Sequence, residues 1–214
     1  MPLQNRVLPT GDIIAIPARG TLTGNRGIIH REDKTLGISR WSHHAWICCT
    51  LDWQGRKRPL ITGRNWTELF FLDEAAAMSA GHRPCGYCRR AAYEKFVLAW
   101  ADATGTRPKA PQMDRALHAA RIIQGTRHQQ QHQSAISQLP NGAMIWQSGE
   151  AHLVWDKSLF PFRPDGYAPP TLRPQRGTAD VLTPAPMIAV LKAGYRPAVH
   201  PTAGLKARGA TTIL

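Results

Sequence analysis

The sequence predicts an α+β fold: a small sheet, a cysteine knuckle at the mouth of a long helix, further helices, and a β-rich C-terminal portion. Three observations predict it. Residues 46–51 and 67–72 are short apolar runs of strand length. Tyr93, Phe96, Val97 and Trp100 recur at the spacing that lines one face of a helix over 89–104. Cys85-Gly86-Tyr87-Cys88 stands between the second strand and that helix.

In chain order, residues 12–17 form an apolar run that ends at Ala18-Arg19-Gly20, and Thr23-Gly24-Asn25-Arg26-Gly27 reads as a turn with an arginine at its centre. After the strand at 46–51, Gln54-Gly55 marks a turn, and Arg56-Lys57-Arg58 follows it. The strand at 67–72 leads to Asp73, an N-cap for a short helix over 74–80, with Gly81 at its C′ position. The long helix gives way to a linker at 105–111. A third helix spans 112–124, with Met113, Ala116, Leu117 and Ala120 as its inner face. Residues 127–133, RHQQQHQ, read as a polar connector. A hairpin of 143–146 and 152–155 turns at Ser148-Gly149, residues 161–177 are Pro-rich and irregular, and a last helix covers 184–193 before Gly194. The tail after Arg196, and at least the part beyond Gly204, is expected to be mobile. Residues 1–105 form a knuckle-bearing domain, and 106–214 supply a helix and the β-rich portion, packed with it or apart.

The 214 residues suffice for a core without disulfides. Lys and Arg number 27 against 14 acidic residues, a net charge of +13. An excess of that size repels itself and is expected to face polyphosphate, because each cation at a phosphate releases a counterion. No apolar stretch is long enough to span a bilayer, and residues 1–10 lack an apolar signal core, so a cytoplasmic protein with no membrane partner is expected. In a reducing compartment a Cys-x-x-Cys points to metal or redox chemistry rather than to a staple.

Two thiolates separated by two residues reach one tetrahedral ion, and zinc is the metal such a knuckle holds most readily. Arg83, Arg89 and Arg90 surround the pair and favour thiolate over thiol. A redox reading needs a strand–helix context that a pair following a helix does not have. The segment Glu68-Leu69-Phe70-Phe71, an Ala-rich helix, and Ala80-Gly81-His82-Arg83-Pro84-Cys85-Gly86-Tyr87-Cys88-Arg89 resembles the metal-binding domain of Ada-type DNA repair proteins. The resemblance covers roughly residues 46–90. It implies one zinc held by four cysteines in a treble-clef-like knuckle, one of which removes a methyl group from a DNA phosphotriester. The first pair departs from the pattern: the family separates it by three residues, whereas Cys48 and Cys49 are adjacent. Neighbours in a strand point to opposite faces. Either the backbone kinks and Cys48, Cys49, Cys85 and Cys88 all ligate, or one of the first two is a small buried residue and His30, His43, His44 or His82 completes the site.

The expected function is that of a zinc-containing nucleic-acid-binding protein, DNA-directed, with repair by a zinc-bound Cys49 as its chemistry. Arg26, Arg56, Lys57, Arg58, Arg83, Arg89 and Arg90 are the expected phosphate contacts. Trp41, Trp46, Trp53 and Trp66, interleaved with these cations, offer stacking surfaces or simply core. A second reading is a phosphodiester-cleaving enzyme with a structural zinc, acting through Asp114, His118 and Arg121 at i, i+4 and i+7 of the third helix. Ordinary solvated residues at that spacing are the plainer account of the three. The scarcity of carboxylates weighs against a Mg²⁺-dependent nuclease. A third reading is a non-catalytic nucleic-acid-binding adaptor. Thr23 to Gly27 with His30 as a phosphate loop, and His128 with His132 as a metal pair, are weaker than a turn and a polar connector.

Overall fold

A computed structural model describes residues 1–55, 60–61 and 66–204. Strands β1 (Gln4–Val7), β2 (Ile13–Ala15), β3 (Leu22–Asn25), β4 (Ile47–Thr50) and β5 (Leu69–Phe71) precede helix α1 (Glu74–Ser79), and the two-residue β6 (Arg83–Pro84) follows it. These strands make one sheet of order β2-β1-β5-β3-β4-β6, in which β1–β5 and β4–β6 are parallel. Helices α2 (Arg90–Thr104) and α3 (Ala110–Arg121) come next. The second sheet is built from β7 (His132–Ala135), β8 (Met144–Gln147), β9 (Glu150–Trp155), β10 (Ser158–Arg163), β11 (Gly166–Tyr167), β12 (Thr171–Leu172) and β13 (Thr178–Val181). Its order is β11-β10-β9-β8-β13-β7, and β12 also pairs with β10, at Ser158 and Leu159. Helix α4 (Ala185–Lys192) closes the series. The α+β expectation therefore holds, and among the described residues no helix is long and apolar enough to cross a membrane.

Helix α1 is buried on every side, and its composition explains how. Ala77 and Ala80 meet Val7, Ile13, Leu69 and Phe71 of the first sheet. Leu72, Ala75 and Ala76 meet Met144, Leu153 and Phe160 of the second. Small side chains let two sheets approach one helix from opposite sides, which longer residues would prevent. Met78 extends into the largest cluster, where Phe96 and Trp100 of α2, Met113 and Leu117 of α3 and Leu191 of α4 cover Ile145 and Val154.

Most elements follow the sequence periodicity. Asp73 caps α1, its Oδ1 accepting from the Ala76 amide at 2.9 Å, and Gly81 follows with φ at 80°. Ser148 and Gly149 both have positive φ, 53° and 83°, the pattern of a type I′ hairpin turn between β8 and β9. Four expectations are corrected. Residues 22–25 are a strand, not a turn. Gly24 pairs with Cys48 on one side and Leu69 on the other, and a Cβ there would lie 2.3 Å from the Ile47 carbonyl oxygen. The Pro-rich 161–177 segment contains the end of β10 and two short strands, Pro161 being accommodated within β10. The inner face of α3 is Met113, Asp114, Leu117 and Arg121 rather than one that includes Ala116. The chain after Arg196 docks: the Ala198 amide donates to Glu74 Oε2 and the His200 amide to Asp73 Oδ2, each at 2.9 Å.

Asp73 also accepts from the Tyr167 hydroxyl at 2.8 Å. Replacing it removes a helix cap and orphans two buried donors from the second sheet and the C-terminal segment. Asp73→Ala is expected to cost about 3 kcal/mol and to lower Tm by roughly 6–12 °C, read by thermal circular dichroism. Asp73→Asn, which keeps an acceptor, is expected to lose less than half of that.

Candidate metal centre and its cleft

Strand parity decides which of the adjacent cysteines joins the knuckle. Cys48 points to the inner face of the first sheet, fully buried beside Leu69 and Phe71. Cys49 points to the other face. The parallel ladder between β4 and β6 carries the chain past it, with the Cys85 amide donating to the Cys48 carbonyl at 3.0 Å. Cys85 and Cys88 then lie in the turn that leads into α2. The sulfurs of Cys49, Cys85 and Cys88 all lie within 4.8 Å of one another.

That spacing fits a shared ion: three sulfurs at about 2.3 Å from a tetrahedral metal lie about 3.8 Å apart. The surrounding backbone suits thiolates. The Tyr87 amide donates to Cys85 Sγ at 3.4 Å, and the Cys88 and Thr50 amides face the sulfurs of Cys85 and Cys88. The bond from the Cys49 thiol, reinforced by those amides, holds Cys85 down at about 5, while Cys49 is pushed up by giving its proton toward Cys85 and by burial. The cluster therefore releases a first proton readily and its later ones reluctantly, and a divalent ion would remove that reluctance.

Cys48 does not join this cluster. Its sulfur accepts from Arg89 Nη1 at 3.0 Å, and burial pushes its thiol up to about 12. No histidine completes the cluster among the described residues. His30 bonds to the Gln4 carbonyl and Thr67, His82 lies against Arg26, and His44 stacks on His118 at 3.8 Å. The three thiols line a cleft of about 390 Å³, whose walls are Ile47, Phe70, Tyr87, Trp53 and Trp66. Gly86 does not take a left-handed conformation, and a Cβ there would meet Tyr93 only at ordinary contact distance.

The expected phosphate contacts divide three ways. Arg26 and Arg83 are buried, so neither lies on an open surface face, and nothing in their neighbouring residues signals that burial. Arg83 forms a two-pronged pair with Asp114, at 2.8 and 2.9 Å, and Arg26 lies over Trp46 at 4.1 Å. Arg89 is held by Glu74 at 2.9 Å as well as by Cys48, and exposed Arg90 pairs with Glu94. Arg56, Lys57 and Arg58 lie outside the described residues. They are flanked in sequence by Trp53 and Leu60, both of which line the cleft.

Asp114, His118 and Arg121 do not form one proton-transfer site. Asp114 is committed to Arg83. Arg121 is fully buried at 3.6 Å from the Trp46 ring, donating to the Gly81 and His44 carbonyls at 2.7 Å each. Its Nη2 is also 3.1 Å from His118 Nδ1, and burial together with Arg121 and His44 pushes His118 down to about 4. Sequence spacing placed these groups on one helix face, but not the partners that claim two of them.

The histidines set an acid limit. Burial lowers His30, His43, His82, His118 and His132 from the ordinary 6.5. Below about 6.5 the unfolded chain takes up protons that these folded sites refuse, so stability present at pH 7 is lost as pH falls. Asp73, raised by burial, opposes this only near the carboxylate range. Tm is expected to fall steadily from pH 7 to pH 5 in a thermal melt series, and a flat profile would contradict neutral buried histidines. Comparison with family models, with curated proteins and with solved structures gives no match.

Proposed function

We propose that the chain is a zinc protein that acts on nucleic acid, with Cys49, Cys85 and Cys88 as ligands and the fourth position turned toward the aromatic cleft. One observation carries this reading: three thiols converge at the foot of a cleft walled by tryptophans, and no fourth protein ligand joins them among the described residues. Structural zinc sites are closed by four protein ligands, whereas sites with three keep a position for a reacting group. Bound there, zinc would hold the sulfurs as thiolates at neutral pH and act as a Lewis acid. The turn carrying Cys85 and Cys88 into α2 suits the treble-clef-like knuckle that the resemblance to Ada-type domains implies.

The cleft suits a nucleic acid more than a peptide, for reasons of chemistry. Tryptophan rings offer base-stacking surfaces, and Arg56-Lys57-Arg58 follows Trp53 closely in sequence. Cys49 is the thiolate proposed to react. Its sulfur would attack the alkyl carbon of a phosphotriester, forming an S–C bond while the C–O bond breaks, and the phosphodiester would leave with the electron pair. Tight pairing of Asp114 and Arg121 with other groups disfavours the nuclease reading. A binding adaptor differs from the present reading only in lacking the transfer step.

Protein purified without added metal is expected to hold about one zinc per chain by elemental analysis. Cys49→Ser, Cys85→Ser and Cys88→Ser are each expected to lower that content, whereas Cys48→Ala is expected to keep it. Equal zinc loss in Cys48→Ala, or zinc-free folded protein, would overturn the assignment. Affinity for DNA is expected to fall by about 10³-fold or more between 50 and 200 mM salt if six or more phosphates are contacted. Incubation with methylated DNA is expected to add one methyl to Cys49 by peptide mass spectrometry. Salt-sensitive binding without methyl gain would leave the adaptor.

A further inference from the structure

A second pocket, beside Arg26, shares no lining residue with the cysteine cleft. Arg26 is 2% exposed, and its guanidinium is only partly satisfied. Nε donates to His82 Nε2 at 3.3 Å and Nη1 to the Gly11 carbonyl at 3.2 Å, while Nη2 is buried with no partner. A buried N–H of a charged group without an acceptor costs several times what an exposed one does. The charge is also uncompensated. Arg26 and Arg121 lie against Trp46, and among the described residues neither forms an ion pair with a carboxylate. Burial pushes Arg26 down to about 9 and Arg121 to about 8, and the charges of Asp12 and Asp114 offset this only in part.

Arg26 borders a small pocket of about 40 Å³, which Arg40, Arg127, Thr10 and Trp41 also line. Arg40 uses one nitrogen on the Gly37 and Ile38 carbonyls, at 2.7 and 3.1 Å, which leaves its other donors uncommitted. Arg127 is exposed. The one carboxylate in the lining, Asp12, is itself exposed, accepts from the Thr10 hydroxyl at 2.7 Å, and lies beyond ion-pair distance of Arg26. Its charge lessens the positive excess of the three guanidiniums without cancelling it.

We propose that this pocket binds a phosphate group, with the Arg26 guanidinium in its wall and Arg40 and Arg127 around its rim. Guanidiniums donate in a fixed planar fork that matches tetrahedral oxyanions, and several forks around one centre favour phosphate over a spherical halide. The pocket is too small for a nucleotide. It suits an end-on phosphate: free inorganic phosphate, or the terminal monoester of a nucleic-acid strand. The monoester offers three oxygens to the rim where an internal diester offers two. The site does not depend on the metal centre.

Isothermal titration of the full chain with inorganic phosphate, against chloride at matched ionic strength, tests it. Saturable one-to-one binding is expected with phosphate and not with chloride. Arg40→Ala and Arg127→Ala, which change accessible side chains, are each expected to weaken it roughly tenfold. Cys88→Ser is expected to leave it unchanged, so failure of the zinc assignment and failure of this one are distinguishable. Competition by a 5′-phosphorylated oligonucleotide, but not by the same strand lacking that phosphate, would identify the source as a nucleic-acid terminus. Competition by neither would identify it as free phosphate. No saturable phosphate binding, or binding unaffected by both arginine variants, would overturn the proposal.

Discussion

Two adjacent carboxylates, Asp73 and Glu74, at the first turn of α1 hold the molecule together. Each is 2% exposed. Glu74 accepts from the Tyr195 hydroxyl at 2.6 Å, from the Ala198 amide and from Arg89, and its own amide donates to the Ala198 carbonyl at 3.1 Å. Asp73 reaches Tyr167 and His200. Burying two carboxylates is expensive, and it is tolerable because each of their four oxygens finds a donor. The donors come from the second sheet, the C-terminal segment and the knuckle, so these bonds fix the relation of the two sheets. Through Arg89 they also touch the back of the strand that carries Cys49. The cluster of Cys49, Cys85 and Cys88 thus sits on a support braced from behind by the other half of the chain.

Much of this architecture was legible in the sequence because it rests on local rules. The Asp73 cap, the face of α2 and the Ser148-Gly149 turn each depend on a few neighbouring residues. The opposite facing of Cys48 and Cys49 was legible too, but not whether a kink would bring both to the site, which of them would join it alone, or whether a histidine would complete it. Gly24 shows where such reasoning stops. Two glycines near an asparagine and an arginine spell a turn, yet Gly24 is a strand residue whose missing side chain makes room for the Ile47 carbonyl oxygen. That requirement comes from a partner more than twenty positions away. The same holds for Arg26, Arg83 and Arg121. Nothing local distinguishes an arginine stacked on a buried tryptophan from one displayed to solvent.

Those arginines change the meaning of the net charge. A basic composition suggests a basic surface, but part of the excess is interior and built into aromatic and carbonyl contacts. Trp46 has a guanidinium at 4.1 Å and another at 3.6 Å, with His82 and Trp41 rings beside it. Cation–π attraction offsets some of the cost of burying each guanidinium. It does not remove the mutual repulsion of two like charges near one ring.

The paired cysteines of β4 make the site tolerant of an error that most strands cannot absorb. A slip of one residue exchanges the two faces of a strand. In β4 that exchange would still present a thiol to Cys85 and Cys88, with Cys48 in place of Cys49. The proposed zinc would therefore accept either alignment and would not by itself proofread the strand. Discrimination falls to the groups on either side: Trp46, whose indole must reach the arginines, and Gly24, which accepts the Ile47 carbonyl only in the native pairing. Aromatic packing, and not ligation, is what makes the correct thiol the one that faces the cleft.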